Sequence, residues 1–238
     1  MSATVSHGEP VVAGSHAGTG TGTTCSPEGR ITRSLLGYGV LAGPFYVLVS
    51  LAQALIREGF DLTRHDWSLL ANGTGGCVQV ANLVLTGLMV VAAAVGYRRA
   101  LRGGVGQRWV PWLLGAYGIG MVGAGIFRAD PMAGFPPRTP DGPPITFTAQ
   151  GMLHMVCGGL GFMALILATF VLAKRFGREG RRRRAAFSIV TGVGFLGGFA
   201  GISSGSNTPT VVLAFTAAVL LVWAWLGSTS AHLYRNLR

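Results

Sequence analysis

"GGCVQVANLVLTGLMVVAAAVGY", from Gly75 to Tyr97, runs 23 residues without a charged side chain and stops at Arg98 and Arg99. A helix rising 1.5 Å per residue over that length crosses the roughly 30 Å hydrocarbon core of a bilayer. Five further stretches repeat the pattern: Leu35 to Ile56, Trp109 to Phe127, Gly151 to Ala173, Ala185 to Gly205 and Val211 to Ala231. The sequence therefore predicts an all-α fold, a polytopic bundle of six transmembrane helices. Half of the 238 residues are hydrophobic and only 11% are charged, which suits lipid better than a soluble core. The net charge of +11 does not point to nucleic acid, because the basic residues sit in short clusters between apolar runs.

Those clusters set an expected orientation. With both termini inside, the inner segments hold Arg30, Arg33, Arg98, Arg99, Arg102, Arg108, Lys174, Arg175, Arg178, Arg181 to Arg184, Arg235 and Arg238, fifteen in all. The outer loops hold four: Arg57, Arg64, Arg128 and Arg138. The bias predicts a multi-pass plasma-membrane protein with cytoplasmic termini. Arg181, Arg182, Arg183 and Arg184 read first as a topology determinant, with anionic lipid headgroups as a further partner. Five of the eight acidic residues, Glu58, Asp61, Asp66, Asp130 and Asp141, fall on the outer side.

Residues 1–33 are read as a disordered cytoplasmic tail, and 34–238 as the transmembrane domain. The tail is rich in Gly, Ser and Thr and has no basic segment leading into an apolar one, so no signal peptide is expected. His7 and His16 belong to it. The cysteines, Cys25, Cys77 and Cys157, form neither a CxxC pair nor a ligand spacing, and no chemistry is assigned to them.

Small residues mark helix contacts, because lipid supplies little drive between apolar helices. Ala116, Gly120 and Ala124 recur at spacing four in the third span. Gly197, Gly201 and Gly205 do so in the fifth, with Gly194 and Gly198 on a neighbouring stripe. Both faces are expected to meet other helices. Polar residues inside spans each need a partner or water. Gln53, Gln79, Asn82, His154, Ser203, Ser204, Ser206 and Asn207 all fall in the outer half. Gln79 and Asn82 are three apart and share a helical face.

The outer side also holds "GIFRADPMAGFPPRTPDGPPITFTAQGMLH", Gly125 to His154, whose six prolines forbid a regular helix through the connector. Here the chain resembles a family of bacterial and archaeal integral membrane proteins known only as a domain of unknown function, with about six spans. The resemblance is carried by "REGFDLTRHDWSLLANG" (Arg57 to Gly73), "FRADPMAGFP" (Phe127 to Pro136) and "GMLHMVCGGLGF" (Gly151 to Phe162). It runs from about Leu35 to Leu233. It implies the fold and topology but no reaction. In that family the later spans often end on a basic residue where this chain has "SSGSNTP".

Three functional readings follow from the outer residues. In the first, Arg128, Asp130 and His154, with Gln79 and Asn82 deeper and His65 and Asp61 from the other loop, bind a small molecule or lipid headgroup. In the second, His65, Asp130 and His154 hold zinc for a metal-assisted membrane hydrolase. No HxxxH or HExxH spacing calls for a metal, so no cofactor is expected. Haem is not expected either, because His65 lies in a loop and His232 at the opposite face. In the third the protein is structural and has no ligand: Asp130 starts a turn, Arg128 snorkels, and the amides bridge helices.

Overall fold

The computed structural model describes residues 27–206 and 208–237. The tail through residue 26, with His7, His16 and Cys25, lies outside the described residues, as do Asn207 and Arg238. Six helices carry the described chain: α1 (Pro27–Ile56), α2 (Gly76–Ala100), α3 (Trp109–Ile126), α4 (Ala149–Arg178), α5 (Arg182–Ser203) and α6 (Pro209–Arg235). A single 3-10 turn, Trp67–Ala71, lies in the α1–α2 loop. All six helices are long and apolar enough to cross a membrane.

One boundary differs from the sequence expectation. Residues 27–33, assigned to the tail, are the first two turns of α1. Proline at the first helical position is pre-set for the start of a helix, and Glu28 in the first turn favours its positive end. Thr32 then ties its hydroxyl back to the Glu28 carbonyl at 2.9 Å.

The helices form a closed ring in chain order. Each packs on its sequence neighbours, and α6 closes on α1. Neighbours run antiparallel: α1 meets α2 with Leu36 against Gly96 and Gln53 against Gln79. The two ends of the ring therefore differ in content. One end, the arginine face, carries the α2–α3 and α4–α5 connections and the start of α1. The other, the loop face, carries residues 57–75, 127–148 and the short α5–α6 turn.

The arginine end is closed across the middle, where α2 touches α6. There the buried Tyr97 hydroxyl lies 2.7 Å from Thr229 Oγ1 and 3.1 Å from Ser230 Oγ. Trp225 donates its indole N–H to Ser188 at 2.9 Å. Arg175 reaches the Gly103 and Val105 carbonyls of the α2–α3 loop and pairs with Glu179 at 2.7 Å.

Glycine decides how closely the helices approach, though not always at the expected positions. Gly120 does meet α4: a side chain there would stand 2.6 Å from the Cys157 carbonyl. Ala124 is buried, but Ala116 on the same stripe is exposed. The expected Gly197–Gly201–Gly205 contact is not made. A Cβ at Gly197 or Gly205 would meet nothing within 4 Å, and one at Gly201 only Val211, at 3.4 Å. The neighbouring stripe carries the contact, with Gly198 against Ala218 and Phe215 of α6 at 3.0 and 3.2 Å. Adjacent helical residues point about 100° apart, and α6 offers its small Ala214 and Ala218 to only one of the two stripes.

Candidate functional site

The two long loops of the loop face are tied to each other. His65 sits at the join. Its Nδ1 accepts the Asp61 N–H at 2.9 Å, so Nε2 carries the proton and donates it to the Ala133 carbonyl at 2.8 Å. Both ring nitrogens are thereby used, and no lone pair remains for a metal. The ring packs with Phe60 and with the fully buried Phe135. Arg57 lies over the Phe135 ring and donates to the carbonyls of Leu70 and Asn72. Asn72 reaches across to the Ala129 carbonyl at 3.0 Å, and Arg64 pairs with Asp141 at 2.7 Å. The loops form a knitted cap, which is a structural use of His65.

Asp61 belongs to the same scaffold. It accepts the backbone N–H and hydroxyl of Thr63, and these bonds hold its carboxyl below the ordinary aspartate range. Gln79 and Asn82 also find their partners within the protein. Gln79 accepts from Gln53 at 2.8 Å and donates to Ser50 at 3.1 Å. Asn82 donates to Ser50 at 3.0 Å and lies within reach of Gln79 and the Tyr46 carbonyl. This buried network clasps α1 to α2, and neither amide lines the cavity that lies beneath the cap. Arg128 is exposed and has no hydrogen-bond or ion-pair partner among the described residues.

Beneath the cap the ring encloses a cavity of about 370 Å³. Asp130 and His154 both line it, so two of the three groups expected to converge do so; Arg128 does not. Asp130 is fixed at the start of α4, accepting the Thr148 N–H at 3.0 Å and the Thr148 hydroxyl at 2.6 Å. Thr148 in turn caps the helix through the Gly151 N–H. Gly151 leaves room for this arrangement, because a Cβ there would run into the Asp130 carboxylate and displace it. His154 lies one turn further down α4. Its Nδ1 is 2.9 Å from both the Ala124 and the Phe127 carbonyl oxygens. Carbonyls only accept, so Nδ1 carries the proton and Nε2 of the neutral ring keeps its lone pair. That nitrogen has no protein partner among the described residues.

Asp66 supplies a second carboxylate to the cavity. It caps the 3-10 turn by accepting the Ser68 N–H and hydroxyl on Oδ1, while Oδ2 has no protein partner among the described residues. The cap aims Trp67 into the ring, where it meets Tyr46 with ring centroids 5.9 Å apart. Tyr46 meets Trp223 at 5.3 Å, and Trp223 meets Tyr117 at 5.9 Å. These four rings floor the cavity near the middle of the helices. Phe162, Phe195, Phe199 and Phe215 form a second ring cluster in its lining, which adjoins the first where Phe162 meets Tyr117 at 6.4 Å. The space exists because α4 presents Gly158 and Gly159, where a Cβ would meet nothing within 4 Å and only Phe199 at 3.7 Å, respectively.

The sequence pattern does not reveal this aromatic lining. Its members come from different helices and share no spacing; the one local signal is the glycine-rich "GMLHMVCGGLGF" next to His154.

A family model covers residues 40–232, from the fourth turn of α1 into the last turn of α6. The chain belongs to DUF998, a family of proteins of unknown function. The DUF998 match thus takes in the six helices, apart from the first three turns of α1, together with the cap and the cavity. No curated protein and no solved structure matches the chain.

Proposed function

We propose that this membrane protein binds or handles a small molecule or lipid headgroup in the cavity beneath the cap. The observation that carries the reading is the cavity itself. It is apolar and aromatic in its body, with a few fixed polar groups at its upper end, Asp66, Asp130 and His154. That composition and size are those of ligand sites. The Lys and Arg distribution makes the loop face external, so the ligand comes from outside or from the outer leaflet. On the arginine face, the exposed Arg181, Arg182 and Arg183 with Arg184 suit anionic headgroups of the inner leaflet.

The metal-assisted alternative has less support. His65 is engaged at both nitrogens, and among the described residues no three His, Cys, Asp or Glu side chains group as a metal site.

Gly158→Leu tests the binding reading. Gly158 lines the cavity and a Cβ there meets nothing within 4 Å, so the added side chain takes up cavity space. Native mass spectrometry of protein extracted from its membrane should show a bound small molecule or lipid on wild type and none on the variant. Equal ligand content in both would refute a site in the cavity.

A further inference from the structure

We infer that the ligand is a lipophilic ammonium: a protonated amine on an apolar body that also carries an oxygen acceptor. The inference rests on the cavity being the binding site and goes on to assign its chemistry. Charge comes first. Two carboxylates, Asp66 and Asp130, line the cavity, and among the described residues no lysine or arginine does. A negative wall without a counter-ion favours a cation and disfavours a phosphate or carboxylate lacking one.

Unsatisfied acceptors come second. Asp66 Oδ2 and His154 Nε2 both belong to cavity-lining residues and lack a protein donor, so each can take an N–H of an ammonium. Third, the array of Tyr46, Trp67, Tyr117 and Trp223 offers the negative faces of aromatic rings, which attract organic cations.

The fourth observation is independent of the carboxylates. Trp67 and Trp223 are 7% and 4% exposed, both line the cavity, and neither indole N–H has an acceptor among the described residues. A buried donor without a partner is costly, and an oxygen on the ligand removes that cost. An aminoalkyl chain with a nearby ester, ether or phosphate oxygen meets all four conditions. It can come from an ethanolamine-type lipid headgroup or from a free lipophilic amine.

Calorimetric titration of the detergent-purified full chain with hexylammonium, hexanol and hexyl sulfate tests this. The plugged Gly158→Leu protein serves as the blank for partitioning into detergent. Hexylammonium should bind at least about tenfold more tightly than either other probe, a difference of about 1.4 kcal/mol. Asp66→Asn supplies an amide oxygen in place of the carboxylate oxygen that caps the 3-10 turn and removes the charge, and it should erase most of that preference. Hexanol or hexyl sulfate binding as tightly as hexylammonium would overturn the ammonium assignment while leaving a functional cavity. Indistinguishable heats from wild type and the plugged protein for all three probes would overturn the binding site itself. Displacement of hexylammonium by added phosphatidylethanolamine assigns the lipid as source, and undisturbed binding assigns a free amine; both results uphold the ammonium chemistry.

Discussion

Gly87→Ala probes one of the tightest crossings in the ring. A Cβ at Gly87 would stand 2.6 Å from the Gly118 carbonyl oxygen and 3.0 Å from the Val122 amide nitrogen. The reciprocal Cβ at Gly118 would stand 2.7 Å from the Gly87 carbonyl. All three neighbours are backbone atoms, so no rotamer change relieves the clash. Ordinary contact begins near 3.4 Å, which forces α2 and α3 apart by about 0.8 Å. A gap of roughly 0.5–1 Å forfeits a quarter to a half of the dispersion attraction of the facing atoms. Overpacking of this kind costs about 1–3 kcal/mol, and alanine's better helix propensity returns up to about 1 kcal/mol. Unfolding in dodecyl maltoside titrated with sodium dodecyl sulfate, followed by tryptophan fluorescence, should therefore place the variant about 1–2 kcal/mol below wild type. Gly197→Ala, whose Cβ meets nothing within 4 Å, should match wild type or exceed it. Wild-type behaviour of Gly87→Ala, or equal shifts in the two variants, would refute the backbone-contact reasoning.

Gln79→Leu should lower stability by about 1 kcal/mol in the same assay, because it strips partners from Gln53, Ser50 and Asn82, while leaving hexylammonium binding unchanged. A loss of binding without a loss of stability would instead return Gln79 to the ligand site. Orientation is read by thiol labelling of intact cells on a Cys77→Ser background: a cysteine at Thr139 should react with an impermeant reagent and one at Val105 should not. Labelling at Val105 would invert the topology and place the cavity mouth in the cytoplasm.

The helices were legible in the sequence because lipid leaves little freedom: a chargeless run of about 20 residues has few alternatives to a spanning helix. The uses of the polar residues were less legible. Gln79 and Asn82 need a partner in an apolar medium, and nothing in their spacing distinguishes a ligand from Ser50 on α1. Asp61 and Asp66 lie five residues apart in one loop and read alike. Only the fold separates them, since Asp66 caps the turn that carries Trp67 into the ring and Asp61 closes a turn on Thr63. His65 and His154 divide in the same way. Carbonyls engage only Nδ1 of His154, whereas the cap consumes both nitrogens of His65. The connector that joins α3 to α4 singles out Asp130 and His154, both of which line the cavity. Tyr46, Tyr117 and Trp223 were not found, because a site assembled from three helices leaves no local pattern.

The cavity raises a question of energy that bears on its use. At about 24 cal/mol per Å³, a dry void of 370 Å³ would cost on the order of 9 kcal/mol, comparable to the whole stability of a typical domain. The ring had the means to close it. The arginine half is filled, with Tyr97 reaching α6 and Trp225 reaching α5. In the loop half, α4 presents Gly158 and Gly159, and a Cβ at Gly158 would meet nothing within 4 Å. Water fills the body of such a space poorly, because each molecule needs two or more polar partners and the rings of the floor carry only the Trp67 and Trp223 N–H groups and the Tyr46 and Tyr117 hydroxyls. What fits is a molecule with an apolar body for the aromatic walls, a positive end for Asp66 and His154, and an oxygen for Trp67 and Trp223. An occupant of that kind offsets the void directly, so the protein should be more stable with its ligand than without it, by an amount that grows with ligand concentration.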